Sequence, residues 1–176
     1  MSGEEVVPAK KKRKGTKDER LKRSQVLLDV TRRCASLANI QDVWKELVSM
    51  TSYELDCDRG TLFLNDNETN ELFSFVAQGN LTREIRILND SGIAGHVFQT
   101  GQAMLSDNPY EDPLFNREVD QRTGYTTRNI ACVPVRTMAG KKIGVMQTLN
   151  KRLGEFNDDD LELLEQMTTQ AAVVLQ

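Results

Sequence analysis

The chain has 176 residues, of which 39% are hydrophobic, enough for one ordinary core, and we predict one soluble domain. A formal net charge of −3 excludes a globally basic, nucleic-acid-binding surface, and no apolar run is long enough to span a membrane. One histidine and three widely spaced cysteines, Cys34, Cys57 and Cys132, form no metal-ligand pattern and no disulfide framework. We therefore expect no metal or cofactor, buried free thiols and a cytoplasmic location.

The N-terminal part of the chain divides into a tail and two helices. Residues 1–17 contain a basic run at 10–14 and no apolar face, so we expect a disordered basic tail. Apolar residues then recur at spacings of three, four and seven, which predicts a helix over 18–37 that ends before Asn39. A second helix is predicted over 41–55, with Trp44 in the core.

Six short strands are predicted from alternating apolar residues and turn signals. They cover residues 59–64, 71–77, 84–88, 102–105, 129–136 and 142–149. The short links between them favour antiparallel pairing. A last helix over 158–175 follows three aspartates and reaches the end of the chain without a cap, which we interpret as an excerpt of a longer protein.

The segment between the fourth and fifth strands, residues 106–128, is longer than compact domains normally leave without function. It follows a glycine turn and a short helix that ends at Gly101. Asp120, Thr123 and Thr127 would share one face of a helix and point at one polar ligand. Alternatively they cap turns and face water, which the spacing alone favours. We call residues 106–128 the cover segment.

Several motifs in this region closely resemble the GAF domains of cyclic-nucleotide phosphodiesterases and bacterial adenylyl cyclases. They are Gly-Ile-Ala-Gly-His-Val at 92–97, Pro-Leu-Phe-Asn-Arg-Glu-Val-Asp at 113–120, Thr-Gly-Tyr-Thr-Thr-Arg-Asn-Ile at 123–130 and Cys-Val-Pro-Val at 132–135. The resemblance extends over residues 37–175 in a consistent order. The family's Asn-Lys, Phe, Asp-Glu signature reads Asn150, Lys151, Phe156 and Asp160, with Leu161 replacing the final Glu. The signature implies a salt bridge between Lys151 and Asp160.

The resemblance implies an α+β GAF fold with a central antiparallel sheet of about six strands. Residues 18–176 would form a single GAF domain, with the terminal helices 18–37 and 158–175 on one face and the cover segment on the other. It also implies a regulatory domain of a larger signalling enzyme, such as a nucleotide cyclase or phosphodiesterase, and a homodimer formed through the terminal helices.

By position, the family's ligand contacts map onto both the sheet and the cover segment. The implied ligand-binding residues are Arg59, Thr61, Val76, Ala77, Ile93, Ala94, Asn116, Asp120, Thr123, Thr127 and Gln147. Backbone N–H groups of Ile93 and Ala94 would attract a phosphate oxygen at a helix N-terminus. The alternatives are ordinary packing for these two residues and a surface ion pair from Arg59 to Asp56 or Asp58. We interpret Arg128 as a structural ion-pair partner and His96 as a packing residue.

The resemblance also sets the expected ligand, cAMP ahead of cGMP. Guanine-selective phosphodiesterase domains place an aspartate after an aromatic residue where this chain has Val76 and Ala77. Arg59 and Thr61 resemble the pair found in adenine-selective cyclase domains. An arginine there meets an adenine ring nitrogen, and a threonine meets the adenine amino group.

The alternatives to nucleotide binding are an enzyme, a bilin or haem site and a ligandless module. No catalytic triad, nucleophile elbow, P-loop or paired carboxylates are recognisable, which speaks against an enzyme. A methionine sulfoxide reductase would need its cysteines to converge on the pocket, and bilin or haem binding would need an attachment cysteine in the loop. A ligandless GAF module that dimerises through its terminal helices is the main alternative.

Overall fold

Two helices open the described part of the chain. The computed structural model describes residues 16–79 and 84–174, so residues 1–15 of the predicted 1–17 tail and residue 175 of the predicted final helix lie outside it. The prediction of disorder is wrong at Thr16 and Lys17, which begin the first helix. α1 (Lys17–Ala35) begins at a capping box in which Thr16 and Glu19 each accept a hydrogen bond from the other's backbone N–H. α2 (Ile40–Glu54) begins at Asn39, whose side chain accepts from the Asp42 N–H at 2.8 Å.

Six strands form one antiparallel sheet, as predicted. The strands are β1 (Cys57–Asp66), β2 (Glu71–Ala77), β3 (Arg86–Leu88), β4 (Met104–Ser106), β5 (Ile130–Arg136) and β6 (Lys142–Lys151). Their order across the sheet is β3-β2-β1-β6-β5-β4, and every neighbouring pair is antiparallel. β1 and β6 are longer than predicted and occupy the centre of the sheet.

The remaining helices are α3 (Gly92–Thr100), α4 (Arg117–Thr123) and α5 (Asp158–Val174), and a 3₁₀ turn spans Pro109–Glu111. α1, α2 and α5 pack on one face of the sheet, which we call the helix face. α3 and the cover segment lie on the opposite face, which we call the inner face. This layering confirms the predicted fold. Within the described ranges, no helix is both long and apolar enough to cross a lipid bilayer.

Each face of the sheet carries its own apolar cluster. On the helix face, Trp44 and Leu47 of α2 pack with Met146 of β6 and Met167 of α5. All four side chains are almost completely buried, and burial of each stabilises the fold by about 1.5–3 kcal/mol. Strand side chains and α3 form the inner-face cluster. Among the described residues, its buried members are Phe63, Leu72, Ile85, Ile93, Ala94, Val97, Ile130, Cys132 and Val145.

Candidate ligand-binding site

A polar patch interrupts the apolar inner face where β1 meets β2 and β6. Thr61 of β1 lies opposite Ala77 of β2 and opposite Gln147 of β6, so the three predicted ligand residues form one row across the sheet. Thr61 is buried and Gln147 is half-buried. Arg59 stands two residues before Thr61 and therefore projects from the same face. Strand register thus brings Arg59, Thr61, Ala77 and Gln147 together.

The Arg59 side chain lies against the cover segment. Its Cζ atom is 3.9 Å from the centre of the Tyr125 ring. Gly79 leaves room for the guanidinium, because a Cβ atom at that position would lie 2.7 Å from Arg59 Cζ. The alternative ion pairs with Asp56 or Asp58 do not form: Asp56 and Asp58 both bind Arg152, and Asp58 also binds Arg128 at 3.7 Å. Arg128 therefore has the structural ion-pair role that the sequence suggested.

Tyr125, which lies against Arg59, was not among the residues predicted from the sequence. Its hydroxyl oxygen is buried and has no hydrogen-bond partner among the described residues. Burial, with a further contribution from the Asp58 carboxylate, raises the pKa of Tyr125 to about 12. The local sequence offers one signal for this residue: an aromatic side chain directly follows Gly124, the left-handed C-cap of α4.

Asp120 organises the cover segment. Its carboxylate accepts hydrogen bonds from the Thr127 backbone N–H at 2.7 Å and from the Thr127 hydroxyl at 2.8 Å. The Tyr110 hydroxyl donates to the same carboxylate at 2.9 Å, which raises the pKa of Tyr110. Asp120 and Thr127 are both buried. The predicted pair of Asp120 and Thr127 therefore comes together, because the two residues bind each other. They do not share a helix face, because α4 ends at Thr123 and Thr127 lies beyond it.

Two other predicted residues of the cover segment have local partners. Thr123 donates its hydroxyl hydrogen to the Val119 carbonyl at 2.8 Å within α4. Asn116 is the N-cap of α4, and its side-chain oxygen accepts from the Glu118 N–H at 2.9 Å. Thr123 therefore bonds within its own helix and does not cap a turn, and Asn116 caps α4.

Asn150 holds the end of the cover segment against the sheet. Its side-chain amide donates to the Thr126 carbonyl at 2.9 Å, and its side-chain oxygen accepts from the Arg128 N–H at 2.6 Å. The Asn150 backbone has φ of +57°, a left-handed conformation that asparagine tolerates better than most residues. The two residues that follow Tyr125 are therefore fixed: Asn150 holds Thr126, and Asp120 holds Thr127.

Three predicted contacts belong to apolar clusters. Ile93 and Ala94 begin α3 with their side chains buried in the inner-face cluster, so only their backbone N–H groups are candidates for a ligand. Val76 packs against the cluster on the helix face, opposite to Ala77. Its side chain does not join the polar patch.

Two cavities open where the cover segment meets the start of α3. One, of about 480 Å³, runs from Ser91 and Gly92 to residues 113–118. The other, of about 230 Å³, continues between β3 and α4 toward Arg86 and Arg122. Asn116 lines both cavities, and it is the one predicted ligand residue that lines either of them. Both cavities therefore lie apart from the polar patch of Arg59, Thr61 and Gln147.

Comparison with known protein families identifies the family to which this domain belongs. The model of the family described as "GAF domain" matches residues 39–175. The chain belongs to the GAF family. The GAF domain from a phosphoenolpyruvate-protein phosphotransferase of Coxiella burnetii has the same fold, with a TM-score of 0.79 and 15% identity over 88% of this chain and 93% of that one.

Curated relatives of this GAF domain are phosphodiesterases. The chain is 33% identical over 157 residues to the Probable 3′,5′-cyclic phosphodiesterase pde-5 of Caenorhabditis elegans, which covers 82% of this chain and 21% of that protein. It is 30% identical over 172 residues to the cGMP-specific 3′,5′-cyclic phosphodiesterase of Drosophila mojavensis, covering 89% of this chain and 15% of that protein. The chain thus spans about a fifth or less of these relatives' length.

The GAF signature residues join β6 to α5. Lys151 forms a salt bridge with Asp160, as predicted, and both side chains are about five-sixths buried, with 17% and 15% exposed. The Lys151 ammonium also lies 5.8 Å from the centre of the buried Phe156 ring. Asp160 accepts a second hydrogen bond from the Asn157 N–H at 3.0 Å, which helps to begin α5.

The three cysteines of this GAF domain are buried free thiols, as expected. Burial raises the pKa of Cys34 and of Cys57 to about 11, and raises that of Cys132 further. Since the thiolate is the reactive form, these environments oppose a cysteine-based activity. Among residues 16–79 and 84–174, no group of three or more metal-ligating side chains is assembled.

Proposed function

We propose that this GAF domain binds a cyclic nucleotide between the inner face and the cover segment, with cAMP bound more tightly than cGMP. The observation that supports it best is Arg59, which projects from the same face of the sheet as Thr61 and Gln147 and whose guanidinium lies against Tyr125 of the cover segment. Within the described chain this guanidinium has no carboxylate partner and no hydrogen bond. A guanidinium without an acceptor has free N–H donors, so the acceptor atoms of a bound ligand would stabilise it.

The base would lie over the polar patch. Adenine offers ring nitrogens to Arg59 and an amino group to the Thr61 hydroxyl. In the same orientation guanine presents its N1–H donor to Arg59 where adenine presents the N1 acceptor, and this N1–H and the guanine amino group need an acceptor such as a carboxylate. Ala77 supplies none, and the Asp120 carboxylate already accepts three hydrogen bonds. Each unsatisfied donor costs about 1–3 kcal/mol, which favours adenine.

The phosphate would lie between α3 and the cover segment. The first backbone N–H groups of α3, at Ile93 and Ala94, have no acceptor within their own helix and attract an anion. Ser91, the N-cap residue, does not cap them with its side chain. Thr127 would complete the phosphate contacts by turning its hydroxyl from Asp120 toward the ligand.

The output would pass through the terminal helices. α1 and α5 pack side by side on the helix face, where Thr31 donates to Gln170 at 3.0 Å and Arg23 lies 3.5 Å from Glu162. We propose that this helix pair forms a homodimer and transmits ligand binding to another part of a longer signalling protein.

Replacement of Arg59 tests the assignment of the base site. The ratio of the cGMP to the cAMP dissociation constant is measured by competition for wild type, Arg59→Ala and the control Arg128→Ala, which removes the same charge from an exposed pair. We expect Arg59→Ala to bring the ratio toward one and Arg128→Ala to leave it unchanged. An unaltered ratio in Arg59→Ala contradicts the assignment.

A further inference from the structure

The cover segment contains two tyrosines with opposite hydrogen-bonding states. The Tyr110 hydroxyl donates to Asp120 at 2.9 Å. The Tyr125 hydroxyl is buried without a partner in the described part of the chain. Buried polar atoms almost always have a partner, and an unpaired hydroxyl costs about 1–3 kcal/mol. Such an atom in a binding segment points to a partner that arrives from outside the protein.

The position of Tyr125 narrows the choice of that partner. Its ring lies over the Arg59 guanidinium, 3.9 Å from ring centre to Cζ, so the two side chains form one contact between β1 and the cover segment. Arg59 itself makes no ion pair with a described carboxylate. Both groups are therefore unengaged hydrogen-bond donors on the same side of the sheet.

The backbone around Tyr125 is fixed. The Gly124 N–H donates to the Asp120 carbonyl at 2.8 Å, and the Asp120 carboxylate binds Thr127 twice. Asn150 binds the intervening Thr126 carbonyl at 2.9 Å. Because the backbone on both sides of Tyr125 is already fixed, this segment loses little further conformational entropy when a ligand binds.

We infer that Tyr125 is a further ligand-contacting residue of the site: its hydroxyl donates to an acceptor atom of the bound purine, next to the acceptor that Arg59 contacts. This inference rests on the proposed nucleotide site and adds a residue to it. The raised pKa of Tyr125, about 12, keeps the hydroxyl protonated at neutral pH and so available as a donor. The ring has a second role, since it holds the guanidinium in place.

Tyr125→Phe separates the two roles because it removes the hydroxyl and keeps the ring. In the empty domain, we expect an equal or higher melting temperature, since an unpaired buried hydroxyl is lost. We expect Tyr125→Phe to bind cAMP about fivefold to tenfold more weakly than wild type, because one hydrogen bond to the ligand is lost. The matched control Tyr110→Phe removes a partnered hydroxyl and should lower the melting temperature of the empty domain.

Three other outcomes overturn the inference. Unchanged cAMP affinity in Tyr125→Phe refutes it while the proposed function stands. A lower melting temperature of empty Tyr125→Phe, whatever its affinity, shows that the hydroxyl already has a partner within the protein and refutes it too. A wild-type chain that is folded and empty and binds neither nucleotide refutes both the proposed function and this inference.

Discussion

Asp120 binds Thr127 through two hydrogen bonds, one from the backbone N–H at 2.7 Å and one from the side-chain hydroxyl at 2.8 Å. The pair closes the loop that follows α4, and Tyr125 is part of that loop. Both residues were predicted to contact a ligand. In the structure they bind each other. Ligand binding at Thr127 would therefore exchange one partner of its hydroxyl for another.

Removal of the Asp120 carboxylate should destabilise the domain. Asp120→Ala leaves the buried Thr127 N–H and hydroxyl without an acceptor, and hydrogen bonds to charged groups contribute about 1.5–3 kcal/mol. We expect the free energy of unfolding in urea to fall by about 2–3 kcal/mol. Glu118→Ala, an exposed position on the same helix, is the control and should change it by less than about 0.5 kcal/mol. Equal effects of the two variants would show that the carboxylate is not structural.

Loss of the signature salt bridge should cost more than loss of a surface pair. Lys151→Ala leaves Asp160 largely buried without its cation, so we expect a loss of about 2 kcal/mol, with or without nucleotide. Arg152→Ala, the next residue, removes exposed pairs with Asp56 and Asp58 and should cost at most about 1 kcal/mol. Thermal denaturation compares the two variants. An unchanged melting temperature for Lys151→Ala would contradict the assigned role.

The buried thiols predict a loss of stability at alkaline pH. The pKa values of Cys34 and Cys57 are about 11 in the folded chain, above the ordinary thiol pKa of about 8.5. Because the folded values are raised, this contribution to stability is complete below about pH 8.5 and is lost as pH rises toward 11. The urea midpoint should therefore decrease between those values, and replacement of both cysteines by alanine should reduce the decrease.

The same thiols should be unreactive in the folded protein. At pH 8.5, iodoacetamide should modify them about a hundredfold more slowly than in urea-unfolded protein. Rapid modification of any one of them in the folded state would favour the cysteine-enzyme alternative.

The dimer proposal concerns the outer surface of α1. Leu21 and Leu28 are each 58% exposed and lie seven residues apart, on one side of the helix. We expect the wild-type chain to dimerise and Leu28→Lys to be monomeric in sedimentation experiments, because a charge in the contact is costly. Leu153→Lys, at an 80% exposed position between β6 and α5, should remain dimeric. A wild-type monomer at high protein concentration would contradict the proposal.

Much of the fold was predictable because short-range patterns determine it. Alternating apolar residues located the strands, and the turn at residues 65–70 fixed the β1–β2 hairpin. The side of the sheet on which Val76 lies was not predictable. Leu62 pairs with Val76 but Phe63 pairs with Ser74, so Phe75 is an extra residue that changes the alternation of β2.

The site was predicted only in part, for a related reason. Arg59, Thr61, Ala77 and Gln147 converge because strand register aligns them, and the family resemblance identified them. The stack of Tyr125 on Arg59 joins residues far apart in sequence, and nothing local to either residue indicates it. The bonds of Asp120 and Asn150 likewise depend on how the cover segment folds back onto the sheet.

The most direct measurement of the central claim is calorimetric titration of folded, nucleotide-free protein with cAMP and with cGMP. Mass spectrometry of the denatured sample first establishes that no small molecule remains bound. We predict saturable binding of both nucleotides, with cAMP the tighter, and weaker binding of both by Thr127→Ala. Equal affinities would contradict the assigned preference, and no binding of either nucleotide would contradict the proposed function and favour the ligandless dimerisation module.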